Sequence, residues 1–284
     1  MVAVLTANGS PSRQGDQIIR AQGPPADSAI PRALDPRTFS PAGCVLLPAP
    51  TGRADRIVAL DAGHGGPDPG ASGIDRAGRA HREKDLTLQI ASSTAERLRA
   101  RGVNVVLTRT TDALGTPLRS ADLGSGGLTT DASQKDLSSR VRCANLARAD
   151  ALVSIHLNSF DDSSAAGTET LYEAHRSDAS PNLALARAVH DSVRSGLVEL
   201  GSASPDRGIV DDSVRGDARG SHLVLLGPRV DGYIDEPSAM PATLLEPLFI
   251  TNRDDLSRVI GPGGGDVLAA SIATGIETYL ARAP

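Results

Sequence analysis

Short apolar runs alternate with longer amphipathic segments along most of the chain after residue 54. Six runs rich in β-branched and aliphatic residues predict strands, and they are Ile57–Asp61, Val103–Thr108, Ala151–His156, Thr168–Tyr172, His222–Leu226 and Ala242–Glu246. Apolar residues at helical spacing predict four helices, at Glu83–Ala100, Asp136–Arg148, Pro181–Leu200 and about Asp266–Arg282. This alternation predicts one α/β domain, with a mixed, mostly parallel sheet of about six strands and helices on both faces.

Two polar stretches interrupt the alternation. Residues 112–134 are rich in Gly, and residues 202–220 are rich in Asp, Arg and Gly. Both stretches predict long surface loops, and long loops in compact domains often form the rim of a functional site.

The first 54 residues have a different composition. Eight of the 19 prolines lie within residues 1–50, and apolar residues cluster only at Met1–Leu5 and Cys44–Leu47. Such a segment buries too little apolar surface to offset its ordering entropy, so we predict a Pro-rich, largely disordered tail over residues 1–54. The folded domain is then expected over residues 55–284. The tail shows no basic stretch followed by 7–15 apolar residues, so no secretory signal is recognisable in it.

Composition narrows the classes of function. The 284 residues carry a net charge of −5, which argues against nucleic acid as a partner, because proteins that bind it usually present a strongly basic surface. Aromatic residues make up only 2% of the chain, which disfavours a surface that stacks sugars or bases. No apolar run approaches the ~20 residues of a transmembrane helix.

The most informative local motif is Asp61-Ala62-Gly63-His64-Gly65-Gly66, directly after the first predicted strand. Glycines on both sides of His64 allow a tight backbone turn that leaves the imidazole accessible. The alternative is an ordinary turn that happens to contain a histidine.

Three further residues belong with this motif. His156 and Glu246 come at the ends of predicted strands, and Glu83 opens the first predicted helix, where a carboxylate by itself would be explained by the helix dipole. The carboxyl ends of strands form the crevice of an α/β sheet, so we expect these side chains to meet His64 there. Two histidines and one glutamate make a common catalytic zinc set, and a further carboxylate can act as general base.

Several stretches carry a resemblance to a known family, and they occur in a characteristic order. They are I-V-A-L-D-A-G-H-G-G at 57–66, R-E-K-D-L-T-L at 82–88, V-V-L-T-R-T-T-D at 105–112, R-V-R-C-A-N at 140–145, A-D-A-L-V-S-I-H-L-N-S at 149–159, G-T-E-T-L-Y at 167–172, D-R-G-I at 206–209 and the segment 240–252. Together they resemble the zinc N-acetylmuramoyl-L-alanine amidases of the bacterial cell wall, the amidase-3 family.

The resemblance implies a role for each candidate residue. His64, Glu83 and His156 would bind one Zn²⁺ per chain, and Glu246 would be the catalytic carboxylate. The implied activity is cleavage of the amide between the lactyl group of N-acetylmuramic acid and L-Ala of the stem peptide. Because that substrate is peptidoglycan, the implied location is extracytoplasmic: periplasm, cell wall or secreted. A protein activator is a possible partner, although none is visible in the sequence.

One departure from the family pattern keeps a second function open. Glu246 is followed by Pro247, Leu248 and Phe249, whereas the family usually has Gly before the Phe. A poorly active zinc-containing protein that binds or regulates the wall is therefore an alternative. A zinc hydrolase of another amide is a third, although the H-E-x-x-H signature of the commonest zinc peptidases is absent.

Other residues keep two interpretations each. Asp61 is either a carboxylate that orients His64 or a turn residue at the strand end. Asn158 could contact substrate, brace His156 or cap the local backbone. Cys44 and Cys143 are the only cysteines, and they are either a single disulfide or two unrelated thiols.

Overall fold

The computed structural model describes residues 30–50, 55–124, 127–177, 179–214 and 222–283. In these residues the strands, in chain order, are β1 Arg32–Ala33, β2 Gly43–Leu47, β3 Ile57–Ala62, β4 Ser72–Ile74, β5 Ala80–Arg82, β6 Asn104–Arg109, β7 Leu123–Gly124, β8 Gly127–Leu128, β9 Ala151–Ile155, β10 Thr168–Tyr172, β11 Asp206–Asp211 and β12 Ala242–Glu246. The α-helices are α1 Glu83–Ala100, α2 Thr130–Ala147, α3 Ala179–Glu199, α4 Arg253–Ile260 and α5 Gly264–Leu280.

A central sheet holds eight of the strands in the order β1-β2-β6-β3-β9-β12-β10-β11. Its middle strands β6, β3, β9 and β12 are parallel to one another, so their carboxyl ends lie at one edge. β10 runs antiparallel to β12, and β11 runs parallel to β10. The predicted mixed sheet is confirmed, with eight strands where the sequence predicted about six.

Both faces of the sheet are covered, as predicted. Successive residues of a strand point to opposite faces, and β3 illustrates this: Val58 and Leu60 pack with α1, α3 and α5, whereas Ala59 packs with α2. The core is aliphatic, as the scarcity of aromatic residues requires. Three of the four predicted helices are present within two residues of their expected bounds. α2 begins six residues earlier than predicted, inside the stretch 112–134 that was expected to be a loop, and α4 is an additional short helix.

The predicted boundary at residue 54 lies too late in the chain. β2 joins the sheet antiparallel to β6, with Val45 opposite Leu107, and Cys44 forms a disulfide with Cys143 across a Cα–Cα distance of 5.4 Å. Pairing with a buried neighbour and a covalent link to α2 order a short apolar run that would be too weak to order alone. Residues 1–29 and 51–54 of the predicted tail lie outside the described residues.

The predicted strand His222–Leu226 is wrong, and the strand at this side of the sheet is β11. Residues 224–226 form a turn in which Leu226 N donates to Leu223 O, and their side chains are buried. A short apolar run predicts that its side chains are buried, but it does not distinguish a strand from a turn that packs on the core. β11 lies at the edge of the sheet and is mostly half-buried, so it lacks the apolar signal of a central strand.

Among the helices of the described residues, no single one is long and apolar enough to cross a bilayer. Only α4 and α5 taken together, as a pair bent by 82°, have that length and composition.

Candidate metal centre

Four predicted site residues are placed at the edge where the parallel strands end. His64 follows β3, His156 follows β9, Glu246 is the last residue of β12, and Glu83 is the first residue of α1. His64 Nε2 lies 3.1 Å from Glu83 Oε1, and His156 Nδ1 lies 3.0 Å from the same oxygen. The donor atoms of these three residues all lie within 4.8 Å of one another, so the group could hold a metal ion.

The Glu83 carboxylate is fixed by backbone donors. Ala71 N donates to Oε2 at 2.9 Å, and Leu157 N donates to Oε1 at 3.0 Å. Burial opposes ionisation of this carboxyl, but hydrogen bonds with His156 and His64 outweigh it and hold the pKa of Glu83 well below its usual range. Glu83 therefore presents a charged, preorganised carboxylate to the two imidazoles.

Asp68 orients His64, a role that sequence reasoning missed. Its Oδ2 lies 2.8 Å from His64 Nδ1, which leaves Nε2 facing Glu83. Burial lowers the pKa of His64, but hydrogen bonds with Asp68 and Glu83 raise it to about 10. In the sequence, the only sign of this role is a carboxylate four residues after the histidine. The turn between them is rich in Gly and Pro and has no periodicity, so the orientation of the Asp68 side chain could not be predicted.

Two buried arginines hold the backbone that carries His64. Arg109 Nη2 donates to Gly63 O at 2.9 Å, and Arg140 Nη2 donates to His64 O at 2.7 Å. Both arginines also donate to Ala62 O. These bonds stabilise a loop in which His64 has a φ of 63°, a left-handed conformation that is uncommon for residues other than Gly. An arginine that ends an apolar strand, as Arg109 ends β6, was the sequence signal for such a buried cation.

Asp61 occupies a neighbouring polar cluster and contacts His64 only indirectly. Its carboxylate accepts hydrogen bonds from Thr108 Oγ1 and Ser154 Oγ, both at 2.6 Å, and from Arg140 Nη1 at 3.0 Å. Burial raises its pKa, but Arg140 and the two hydroxyls outweigh burial and lower it to about 2. Asp61 therefore positions Arg140, which in turn holds the His64 carbonyl; the direct contact with the His64 ring comes from Asp68.

Glu246 and Asn158 lie beside the cluster. Leu245 is level with Ile155 in the parallel pair of β12 and β9, and His156 N donates to Leu245 O at 3.0 Å, so Glu246 lies alongside His156. Glu246 pairs with Glu169 across β12 and β10, and Asn158 Nδ2 donates to Glu169 Oε2 at 3.3 Å. The half-buried Glu246 thus lies next to the three-residue cluster, at the end of a strand that is paired with β9 on one side and β10 on the other.

The departure at Leu248 leaves the local backbone ordinary. Leu248 is fully buried, and it is not among the described residues with positive φ. Its carbonyl accepts from Asn158 N at 3.0 Å, which ties the segment after β12 to the segment after β9. A glycine is therefore not required at this position.

The comparisons with known proteins agree with this geometry. A family model described as Amidase_3, N-acetylmuramoyl-L-alanine amidase, matches residues 58–278. The chain is 28% identical over 226 residues to the germination-specific N-acetylmuramoyl-L-alanine amidase of Bacillus subtilis (strain 168), covering 79% of each chain. Among solved structures it resembles an N-acetylmuramoyl-L-alanine amidase from Clostridium difficile 630, with a TM-score of 0.58, 30% identity, and coverage of 81% of this chain and 98% of that one.

A second solved structure gives the same result. The chain matches N-acetylmuramoyl-L-alanine amidase AmiC2 of Nostoc punctiforme with a TM-score of 0.56 and 28% identity, covering 80% of this chain and 98% of that one. All the candidate site residues fall inside the range matched by the family model, whereas β1 and β2 precede it.

Proposed function

The chain belongs to the N-acetylmuramoyl-L-alanine amidase family, and we propose that His64, Glu83 and His156 bind its single catalytic Zn²⁺ while Glu246 is its general base. The reaction of this class is hydrolysis of the amide between the lactyl group of N-acetylmuramic acid and L-Ala of the stem peptide, so the substrate is peptidoglycan. The observation that carries the assignment is the convergence of two imidazoles on one buried carboxylate, with Glu246 on the adjoining strand.

The donor set suits zinc. Two imidazole nitrogens and one carboxylate oxygen are a recurring catalytic zinc set that leaves a fourth position open. The separations of 3.1 and 3.0 Å from Glu83 Oε1 to the two imidazole nitrogens are close to the ~3.3 Å expected for ligands bound at ~2.0–2.1 Å in a tetrahedron. Zinc bound by such a set acts as a Lewis acid and lowers the pKa of coordinated water toward ~7.

The side chains of the protein position the metal ligands and transfer the proton. Glu83 and His156 are held in position by backbone bonds, and Asp68 keeps Nε2 of His64 directed into the cluster. The Glu246 carboxylate accepts a proton from the attacking water and delivers it to the leaving amide nitrogen. Because the nitrogen is protonated, the stem peptide leaves as a neutral amine rather than as a strongly basic amide anion.

The disulfide supports an extracytoplasmic location. Bonds such as Cys44–Cys143 form and persist in oxidising compartments outside the cytoplasm, which is also where peptidoglycan lies.

Digestion of purified sacculi tests the proposal. Mass spectrometry of the products should detect free stem peptides and glycan strands that have lost their peptides. Glu246→Gln should lower the rate ~10²–10⁴-fold without changing the zinc content, because only proton transfer is removed. The matched variant Glu236→Gln, at an exposed side chain bonded to Asn145, should keep full activity.

Three results would contradict the assignment. Cleavage within the glycan or between peptide residues would show a different bond specificity. Full activity of Glu246→Gln would remove Glu246 from the reaction, and stable zinc binding with no product in the wild-type protein would favour a binding or regulatory role.

A further inference from the structure

A second cluster of histidines and carboxylates lies at the opposite edge of the sheet. It consists of Glu173, His175, Asp211, Asp212 and His222, and we call it the distal cluster. Glu173 directly follows β10, which begins beside Glu246 and runs away from the metal centre. The rise of a strand places Glu173 about 13 Å from Glu169 along β10, so the two clusters are separate.

The distal cluster repeats the geometry of the first. His222 Nδ1 lies 2.7 Å from Glu173 Oε2, and His175 Nδ1 lies 3.1 Å from Glu173 Oε1. The two rings meet edge to face with centroids 5.4 Å apart, as the His64 and His156 rings do at 4.9 Å. The donor atoms of Glu173, His175 and His222 lie within 4.8 Å of one another, so one carboxylate again stands between two imidazoles.

Two buried carboxylates of the distal cluster, Glu173 and Asp212, share one imidazole nitrogen. His222 Nδ1 is also 3.0 Å from Asp212 Oδ1, so one ring nitrogen with at most one proton faces two carboxylates. Both carboxylate side chains are fully buried. Within the described residues, Glu173 Oε2 has no nitrogen donor other than this shared ring nitrogen. The other oxygens are served, since Glu173 Oε1 contacts the His175 backbone and ring nitrogens and Asp212 Oδ2 accepts from Leu223 N. The shortage of donors is therefore at the two oxygens that share His222 Nδ1, where a bound cation would offset the cost of buried charge.

The donor types select among cations. Imidazole nitrogens with carboxylate oxygens suit zinc and related transition metals, whereas calcium and magnesium sites are built from oxygen alone. Asp211 is already engaged, since its two oxygens accept from Ala174 N and Ser213 N, and Asp212 Oδ2 accepts from Leu223 N. The His175 side chain is 60% exposed and gives an ion access from solvent.

We propose that Glu173, His175 and His222 form a second zinc site that fastens the end of β10 to the segment that begins at His222. It lies at the opposite end of β10 from Glu246 and takes no part in the hydrolysis.

Zinc stoichiometry of the purified, untagged chain tests the proposal. After zinc loading and desalting, elemental analysis should find two zinc ions per wild-type chain. His175→Ala and His64→Ala should each lose one ion, and the double variant should lose both. His81→Ala is the matched control, because the His81 ring contacts Asp75 and neither cluster, and it should keep both ions.

A thermal readout keeps the test independent of the catalytic centre. In the His64→Ala background, zinc should raise the melting temperature, because it binds the folded state only, and His175→Ala should abolish that rise. His175 is exposed, so this variant should remain folded. Unchanged zinc content and an unchanged melting shift in His175→Ala would overturn the proposal. A count of one ion in the wild type that is lost in His175→Ala but kept in His64→Ala would support the distal site while contradicting the catalytic one.

Discussion

Gly63 lies directly against the imidazole of His156: a Cβ on Gly63 would be 2.4 Å from His156 Cε1 and 2.5 Å from Nε2. The glycine that precedes one proposed ligand therefore makes room for another, which lies 92 positions later than His64 in the chain. Gly70 has a similar role, since its Cβ would be 2.6 Å from His64 Cδ2. The space around both rings is thus determined by glycine backbone.

Gly63→Ala should displace His156 and weaken metal binding. Contacts under 3 Å force either the ring or the loop to move, at a cost of about 1–3 kcal/mol in the free energy of unfolding. We expect a loss of zinc affinity or activity of about 10–100-fold, as found when ligand orientation is disturbed. Zinc titration and sacculus digestion measure the two effects. Gly265→Ala, whose Cβ would meet nothing closer than 3.8 Å, should leave both unchanged.

Asp68→Asn should weaken zinc binding while preserving the fold. The amide keeps the shape of the carboxylate but loses the charge that holds the His64 ring and raises its pKa. A reduction of about 10–100-fold in zinc affinity is expected, measured by competition with a chromophoric chelator. Asp231→Asn, at an exposed carboxylate bonded to Arg229, is the control and should bind zinc normally. Equal affinities for the two variants would show that Asp68 does not orient the ligand.

Asp61 should make stability depend on pH in the acid range. Its folded pKa of about 2 is below the ordinary aspartate pKa of 3.8, so its contribution is complete above about pH 5 and is lost as pH falls through about 2. The difference in pKa corresponds to about 2 kcal/mol in the free energy of unfolding. Denaturant unfolding of metal-free protein should show the gap between wild type and Asp61→Asn narrowing by this amount between pH 5 and pH 2. A gap independent of pH would contradict the assigned shift.

The Cys44–Cys143 disulfide should stabilise the domain substantially. It closes a loop of 99 residues and fastens β2 to α2, so its loss should cost about 2–5 kcal/mol. For a domain of this size that corresponds to a fall of roughly 5–15 °C in melting temperature. Reductant should lower the melting temperature of the wild type, and it should have no effect on Cys44→Ser/Cys143→Ser. A wild type that is insensitive to reductant under denaturing-scan conditions would contradict this prediction.

Much of the fold could be predicted from local patterns. The apolar runs of β3, β9, β10 and β12 and the bounds of α1 are visible in the sequence because each is strongly periodic or continuously apolar. The errors occur where local patterns are weak. β11 is a polar edge strand, residues 224–226 are a buried turn, and β2 is ordered by a strand and a cysteine located far along the chain.

The sequence by itself determined which residue types follow which strands, and hence that His64, His156 and Glu246 end at one edge of the sheet beside Glu83. That inference needs only strand direction, which parallel topology supplies. The tertiary structure alone decided that Asp68 rather than Asp61 holds the His64 ring, that Arg109 and Arg140 hold its loop, and that Glu173, His175 and His222 meet at the opposite edge. The physical reason is that hydrogen bonds and charge pairs depend on the positions and directions of individual side chains, whereas periodicity along the chain reports only which residues are buried.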